Sequence, residues 1–305
     1  MPSNPTLLDD QPATGAPPSS PSATTIGDLE AGLDRLQSQD APARRDLVRS
    51  LLPVAAVVAL LCVWQILSWA GLKRSDLLPG PLTVAASLAD AFADGTLQRA
   101  VATSLLRGVS GFAIAILIAT PLALLLAQVR TLRAALGPLV SGLQVLPSVA
   151  WVPAAIIWFG LTDATVYFVV LMGATPSIVN GLLSGIDQIP PQYRSVGTVL
   201  GATRLQHTLL ITLPAALPAY LGGLKQGWAF SWRSLMAAEI IAVGGSIGFG
   251  LGSMLQQGRD LSSMPLVMAA ILAILVVGIV IELLVFSPLE RRLLRRRGLL
   301  TQGAS

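Results

Sequence analysis

Six stretches of nearly unbroken apolar residues run along the chain, at roughly 51–72, 105–127, 136–160, 164–184, 215–243 and 264–286. Each is about 20 residues or longer, enough to cross a hydrocarbon core of about 30 Å as a helix rising about 1.5 Å per residue. Strands of a membrane barrel alternate apolar and polar positions and are about half as long, so the pattern predicts an all-α membrane protein with about six transmembrane helices. The third stretch holds Pro138, Pro147 and Pro153, the fourth Pro176 and the fifth Pro218, which predicts kinked or interrupted helices. Backbone groups freed by such breaks are tolerated in lipid only against protein or a water-filled cavity. That favours a passage over a simple anchor, with helix packing as the plainer alternative.

The polar segments complete the plan. Residues 1–45, rich in Pro, Ser, Thr, Ala, Gln and Asp, cannot bury a core and read as a disordered cytoplasmic tail. No basic start followed by an apolar run is present, so the segment is not a secretory signal, and its spacing allows one short amphipathic helix from Ile26 to Leu36. Residues 46–290 form the membrane domain and 291–305 a basic cytoplasmic tail. Between the first two spans, Val84, Leu88 and Ala91 recur at helical spacing within Thr83–Phe92, predicting an amphipathic helix at the outer interface. A cytoplasmic amino terminus puts Arg35, Arg44, Arg45, Arg49, Arg130, Arg133, Arg194, Arg204 and the arginines between 291 and 297 inside. Only Lys73, Arg74, Arg99, Arg107 and Arg259 then fall outside, so the excess of basic residues places both termini in the cytoplasm. Residues of about 187–214 become the longest internal cytoplasmic loop.

Composition narrows the chemistry. The chain is 53% hydrophobic and 12% charged, against about 25% charged in an ordinary soluble domain. Cys62 is the single cysteine and His207 the single histidine, which argues against disulfides, a metal site or a histidine relay within the chain. The net charge of +4 follows topology rather than an aromatic-interleaved basic face, so nucleic acid is not an expected partner. No Gly-rich phosphate loop ending in Lys occurs, since neither Lys73 nor Lys225 follows a glycine. Any ATP chemistry therefore belongs to a partner.

The loop from Ile186 to Pro218 reads IDQIPPQYRSVGTVLGATRLQHTLLITLPAALP. Val196, Val199, Leu200, Leu205 and Leu209 recur near three- and four-residue spacing, while Arg194, Thr198, Arg204 and Gln206 mark a wetter side. Gly201 allows a turn between two short helices, and Ala202 leaves room for close approach. Such an element suits docking into another protein's groove.

Gly201 followed after nine residues by Ile211, Leu213 and Pro214 resembles the signature of permease subunits of ATP-binding-cassette importers: EAA, three residues, G, nine residues, I-x-L-P. Here Ser195, Val196 and Gly197 stand at the Glu-Ala-Ala positions, so the family's usual acidic contact with the ATPase is absent. Further blocks are similar in order and spacing to permeases for nitrate, aliphatic sulfonates and taurine. They are LLPVAAVVALLCVWQILSWAGL from Leu51, LLPGPLTV from Leu77, SLLRGVSGFAIAILIATPLALLLA from Ser104, LPSVAWVPAAIIWFGL from Leu146 and GLKQGWAFSWRSLMAAEII from Gly223. The resemblance implies a type I (MetI-like) importer fold in membrane lipid, working as a homodimer with two cytoplasmic ATPase subunits and an extracytoplasmic solute-binding protein. It also implies no cofactor on this chain, ATP being bound by the partner. Nitrate, a sulfonate or a taurine-like anion is the solute it suggests, with selectivity resting largely on the binding protein.

Within the fifth span, Trp228, Trp232, Arg233 and Glu239 are unusual for a lipid-facing helix, and charges at membrane depth generally face protein or water. One reading gives them a translocation-pathway role, with the tryptophans one turn apart at a constriction and Arg233 attracting an anion. The other makes Arg233 and Glu239 structural pairs or interface residues. Trp151 and Trp158 flank Pro153 on one face and read as core more than cavity. Gly244-Gly245-Ser246-Ile247-Gly248 matches the G-x-S-x-G nucleophile pattern, which raises an intramembrane serine hydrolase as an alternative. The topology sets His207 across the membrane from Ser246, so a glycine-rich outer turn is the preferred account. An ion-coupled secondary transporter is the other rival and should show paired halves, which the sequence lacks.

Overall fold

A computed structural model describes residues 42–71, 74 and 76–296. The Ile26–Leu36 helix, most of the amino-terminal tail, Lys73 and the end of the carboxy-terminal tail lie outside the described residues. By internal contacts the chain divides between Val63 and Trp64, within helix α1 (Pro42–Trp69), and the second unit holds every later element. Helix α1 begins at Pro42, inside the stretch expected to be tail, because proline's fixed φ suits a helix's first turn.

After α1 come α2 (Pro81–Ala93), α3 (Thr96–Gln128), α4 (Arg130–Val145), α5 (Val152–Phe159) and α6 (Asp163–Asp187). Then follow α7 (Pro191–Val199), α8 (Leu213–Ile241), α9 (Leu251–Asp260), α10 (Met264–Ile281) and α11 (Ser287–Arg296). Helix α2 is the expected amphipathic helix, burying Val84 and Ala91 and exposing Leu82 and Phe92. Helix α11 follows the sixth predicted span and runs to Arg296, so residues 291–296 of the basic segment are helical.

Among the described residues four helices are long and apolar enough to cross a membrane: Thr96–Gln128, Asp163–Asp187, Arg204–Ile241 and Met264–Arg295. The third predicted span is two helices, Arg130–Val145 and Ser148–Phe159, bent by 99°, and counting the pair as one crossing makes five. The first predicted span falls on α1, whose apolar part runs Val54–Trp69. The bend sits at Pro147, which has no N–H to continue α4. Side chains from the neighbouring helices hold the broken segment: the Asn180 amide donates to Gln144 Oε1 at 2.7 Å, and Ser234 Oγ donates to Ser148 Oγ at 2.6 Å. Helix α3 starts well before the predicted residue 105; its first two and a half turns carry Gln98, Arg99, Thr103 and Ser104, which an apolar count rejects.

Helices α6 and α8 form the spine. Glycines bring their backbones together: a Cβ built on Gly223 would lie 2.7 Å from Gly181 Cα, and one on Gly227 would lie 2.7 Å from Ile178 Cγ1. Close approach of this kind replaces hydrophobic driving force in lipid, where apolar side chains gain little by leaving the solvent. Around the spine, Leu126, Ile178, Leu182 and Ile186 pack one half of the core, and Val166, Val169, Trp228 and Leu235 the other.

At the far end of the spine lies a buried charge network. Glu239 is fully buried; its Oε2 accepts from Ser104 Oγ at 2.7 Å and from the Gly252 N–H at 3.0 Å. Arg107, 4% exposed, donates from Nη1 to Glu239 Oε1 at 3.2 Å and to the Gly248 carbonyl at 3.0 Å. Its Nη2 donates to half-exposed Asp163 at 2.6 Å. Ser104 Oγ in turn accepts the Leu251 N–H at 2.8 Å. One carboxylate thus joins α3, α8 and the first turn of α9, whose free N–H groups favour a negative charge.

Two outcomes are expected. Gly223→Val should cost about 1–3 kcal/mol by overpacking the spine, read as a lower melting temperature of the detergent-solubilised protein, while Gly222→Ala, with open space around it, should change little. Glu239→Ala should cost about 3–5 kcal/mol by stranding Arg107, and the Arg107→Met, Glu239→Ala pair should recover part of that stability in a double-mutant cycle.

Candidate functional site

At the opposite end of the spine the chain makes an elbow. Helix α6 ends at Asp187, which Arg133 grips with both terminal nitrogens, at 2.8 and 2.5 Å. After Pro190 and Pro191, α7 runs to Val199 and the chain reverses through Gly201, whose φ of +70° strains any other residue. The Leu200 N–H returns to the Val196 carbonyl and the Ala202 N–H to that of Gly197, both at 3.0 Å, closing the helix end. Thr203 then starts the next helix with a capping box: its hydroxyl accepts the Gln206 N–H while the Gln206 side chain accepts the Thr203 N–H.

The second short helix expected after Gly201 is not a separate piece. Arg204–Gln206 passes through a π-turn, His207–Thr212, directly into α8, giving one helical run from Arg204 to Ile241. Pro214 explains the widened turn: it has no N–H for the Leu210 carbonyl, and its ring needs the space a wider turn provides. The elbow is therefore continuous with the spine.

Each motif residue has a distinct place. Gly197 is buried, and a Cβ there would come 2.6 Å from His207 Cδ2 and 2.7 Å from Ile211 Cδ1, so this glycine lets α7 fold back onto the π-turn. Ser195 is exposed and returns its hydroxyl to the Pro191 carbonyl at 3.4 Å. Ile211, Leu213 and Ala202 are half-buried, and Pro214 lines a cavity of about 720 Å³ with Ile189, Tyr193, Val196 and Ile211. Val199 (86% exposed), Leu200 (76%), Tyr193, Leu205 and Leu210 leave an apolar face in the open.

The four residues singled out on the fifth span separate. Trp228 and Trp232 stack at 6.0 Å and are buried against Phe112, Leu235 and Phe286, so within one chain they are core and line no open surface. Glu239 belongs to the buried network rather than pairing with Arg233. Arg233 alone of the four is exposed. Apolar counting missed Arg107, Ser104 and Asp163; the available signal was an arginine inside an apolar helix, which needs a partner at the same depth. Trp151 and Trp158 both meet Phe168 edge-on, and Trp158 stays 59% exposed.

The glycine-rich segment is a turn, with Gly244 and Gly245 at positive φ and the Ser246 N–H donating to the Leu161 carbonyl at 3.1 Å. His207 precedes α8 and Ser246 follows it, so a helix of 29 residues, about 43 Å at 1.5 Å per residue, separates them. No nucleophile and base come together there. Among the described residues no three His, Cys, Asp or Glu side chains group to hold a metal ion.

Known proteins resemble the chain along most of its length. Residues 111–294 match the family described as binding-protein-dependent transport system inner membrane component. The chain is 34% identical over 218 residues to the bicarbonate transport system permease protein of Synechococcus elongatus, covering 68% of this chain and 77% of that one. It is 31% identical over 237 residues to the nitrate import permease protein of a Synechocystis strain, covering 75% and 82%. With the taurine transport system permease protein of Escherichia coli it shares 28% identity over 266 residues, 85% and 95% of the two chains. By the family match across most of the membrane domain, this chain belongs to the inner-membrane permease subunits of binding-protein-dependent ATP-binding-cassette importers.

Proposed function

We propose that the chain works as a homodimer that passes a small anion inward across the plasma membrane, driven by two ATPase subunits gripping the elbow and supplied by an extracytoplasmic solute-binding protein. The observation that carries this reading is the elbow's open apolar face, built on a run of helix that continues into the spine. A soluble domain has no use for Val199 and Leu200 at an exposed corner, whereas a groove on a partner does. Ser195 leaves that contact uncharged where the EAA pattern places an acidic residue.

The basic residues support a cytoplasmic elbow and cytoplasmic termini. Closure of the ATPase pair on ATP would push the elbow, and α8 would carry the displacement to its Glu239 end as a stiff rod. The solutes for which the relatives are named, bicarbonate, nitrate and taurine, support a small anion as the cargo.

In a reconstituted complex with ATPase and binding protein, Gly201→Trp should abolish uptake and binding-protein-stimulated ATP hydrolysis while the amount in the membrane stays unchanged. Leu200→Glu should lower ATPase retention on the purified permease about tenfold, the scale expected of removing one apolar anchor from an interface. Uptake should persist when the proton gradient is collapsed with ATP maintained, and arrest under that condition would instead favour an ion-coupled carrier.

A further inference from the structure

Among the described residues, Arg107, Lys225 and Arg233 lie in the interior of helices α3 and α8, away from their first and last turns, and the structure treats them differently. Arg107 is held by Glu239 and Asp163. Lys225 is held by Glu282 at 2.5 Å and Glu290 at 3.5 Å. Arg233 has no carboxylate partner among the described residues: its Nε donates to the Ala229 carbonyl at 3.0 Å, and its guanidinium sits 4.6 Å from the centre of the Phe230 ring.

Arg233 stands eight residues before the end of α8 at Ile241, about 12 Å along the axis. Its guanidinium lies back along its own helix toward Ala229 and Phe230, the direction in which helical side chains commonly lean, and not toward the nearer helix end at Ile241. An uncompensated cation at that depth is expensive unless it faces water or meets an anion.

Its surroundings point the same way. Helix α8 is covered on most of its circumference, and Gly222, Gln226, Ala229 and Arg233 form a narrow exposed stripe at four-, three- and four-residue spacing. Gln226 and Arg233 share one face two turns apart, and apart from two small residues this stripe is polar. The residue after Arg233, Ser234, holds Ser148 at the break between α4 and α5, so the stripe runs beside the interrupted helix.

We propose that Arg233 is a specificity-determining residue of the passage itself: with Gln226 it presents a wet, positive stripe that selects small oxyanions in transit, so charge discrimination does not rest on the binding protein alone. The guanidinium's paired N–H groups match a carboxylate, sulfonate or nitrate oxygen pair, and its charge repels cations. This rests on the reading of the chain as the permease of an anion importer.

The test uses the complete complex in membrane vesicles, with Cys62, the only cysteine, replaced by serine and Gln226→Cys as reporter. Its modification is timed with a sulfonatoethyl and a trimethylammonioethyl methanethiosulfonate, each rate divided by that reagent's rate on a free thiol. The expected result is a preference of about tenfold for the anionic reagent, kept in Arg233→Lys and lost in Arg233→Gln. A cysteine at 226 that reacts with neither reagent would overturn the wet stripe. Reaction without charge preference, or with a preference that survives Arg233→Gln, would overturn the role of Arg233. Binding-protein-stimulated ATP hydrolysis by vesicles carrying the unaltered chain tests the importer reading separately; its failure sinks that reading whatever the thiol rates show.

Discussion

The close approach of α6 and α8 is the constraint on which the other helices depend. Two helices touching at Gly181 and Gly223 leave no gap for side chains, so their register and crossing are set by backbone contact. In lipid such contact supplies the dispersion energy that water expulsion supplies elsewhere. With the two helices locked, α3 packs along their shared face and the broken α4–α5 segment hangs on Asn180 and Ser234.

Because α8 belongs to that spine and also continues into the elbow, its two ends are mechanically joined. At one end stand the exposed apolar corner and the strained Gly201; at the other, Glu239 ties α3 and α9 to the helix terminus. A displacement at the elbow reaches a buried ion network through about 43 Å of helix rather than through a flexible chain. The π-turn at His207–Thr212 is the one widened place in the rod, and Gly197 rests on it.

The intramembrane charges divide by what compensates them. Arg107 and Lys225 each meet two carboxylates and serve to join helices, whereas Arg233 shows its charge on the exposed stripe of a mostly covered helix. Arginine is suited to both tasks, since its guanidinium stays ionised and directs several N–H groups at fixed angles.

Apolar run length by itself determined that the chain is helical and membrane-spanning, and the spacing of Gly201, Ile211, Leu213 and Pro214 determined where the elbow lies and which family it belongs to. Local chemistry suffices there: a run of about 20 apolar residues has few alternatives to a helix in lipid, and a turn with positive φ calls for glycine. The 99° break at Pro147 was legible as an interruption but not as an angle, because proline removes a hydrogen bond without saying which neighbour takes its place. Only the tertiary structure decided that Trp228 and Trp232 are core, that Glu239 belongs to Arg107 and Ser104, and that Arg233 meets no carboxylate among the described residues. All four lie on one helix within about three turns, so composition cannot distinguish them. Which of them is buried depends on residues distant in sequence, Ser104 and Arg107 of α3 more than a hundred positions away among them, and on the faces that α3 and α6 happen to cover.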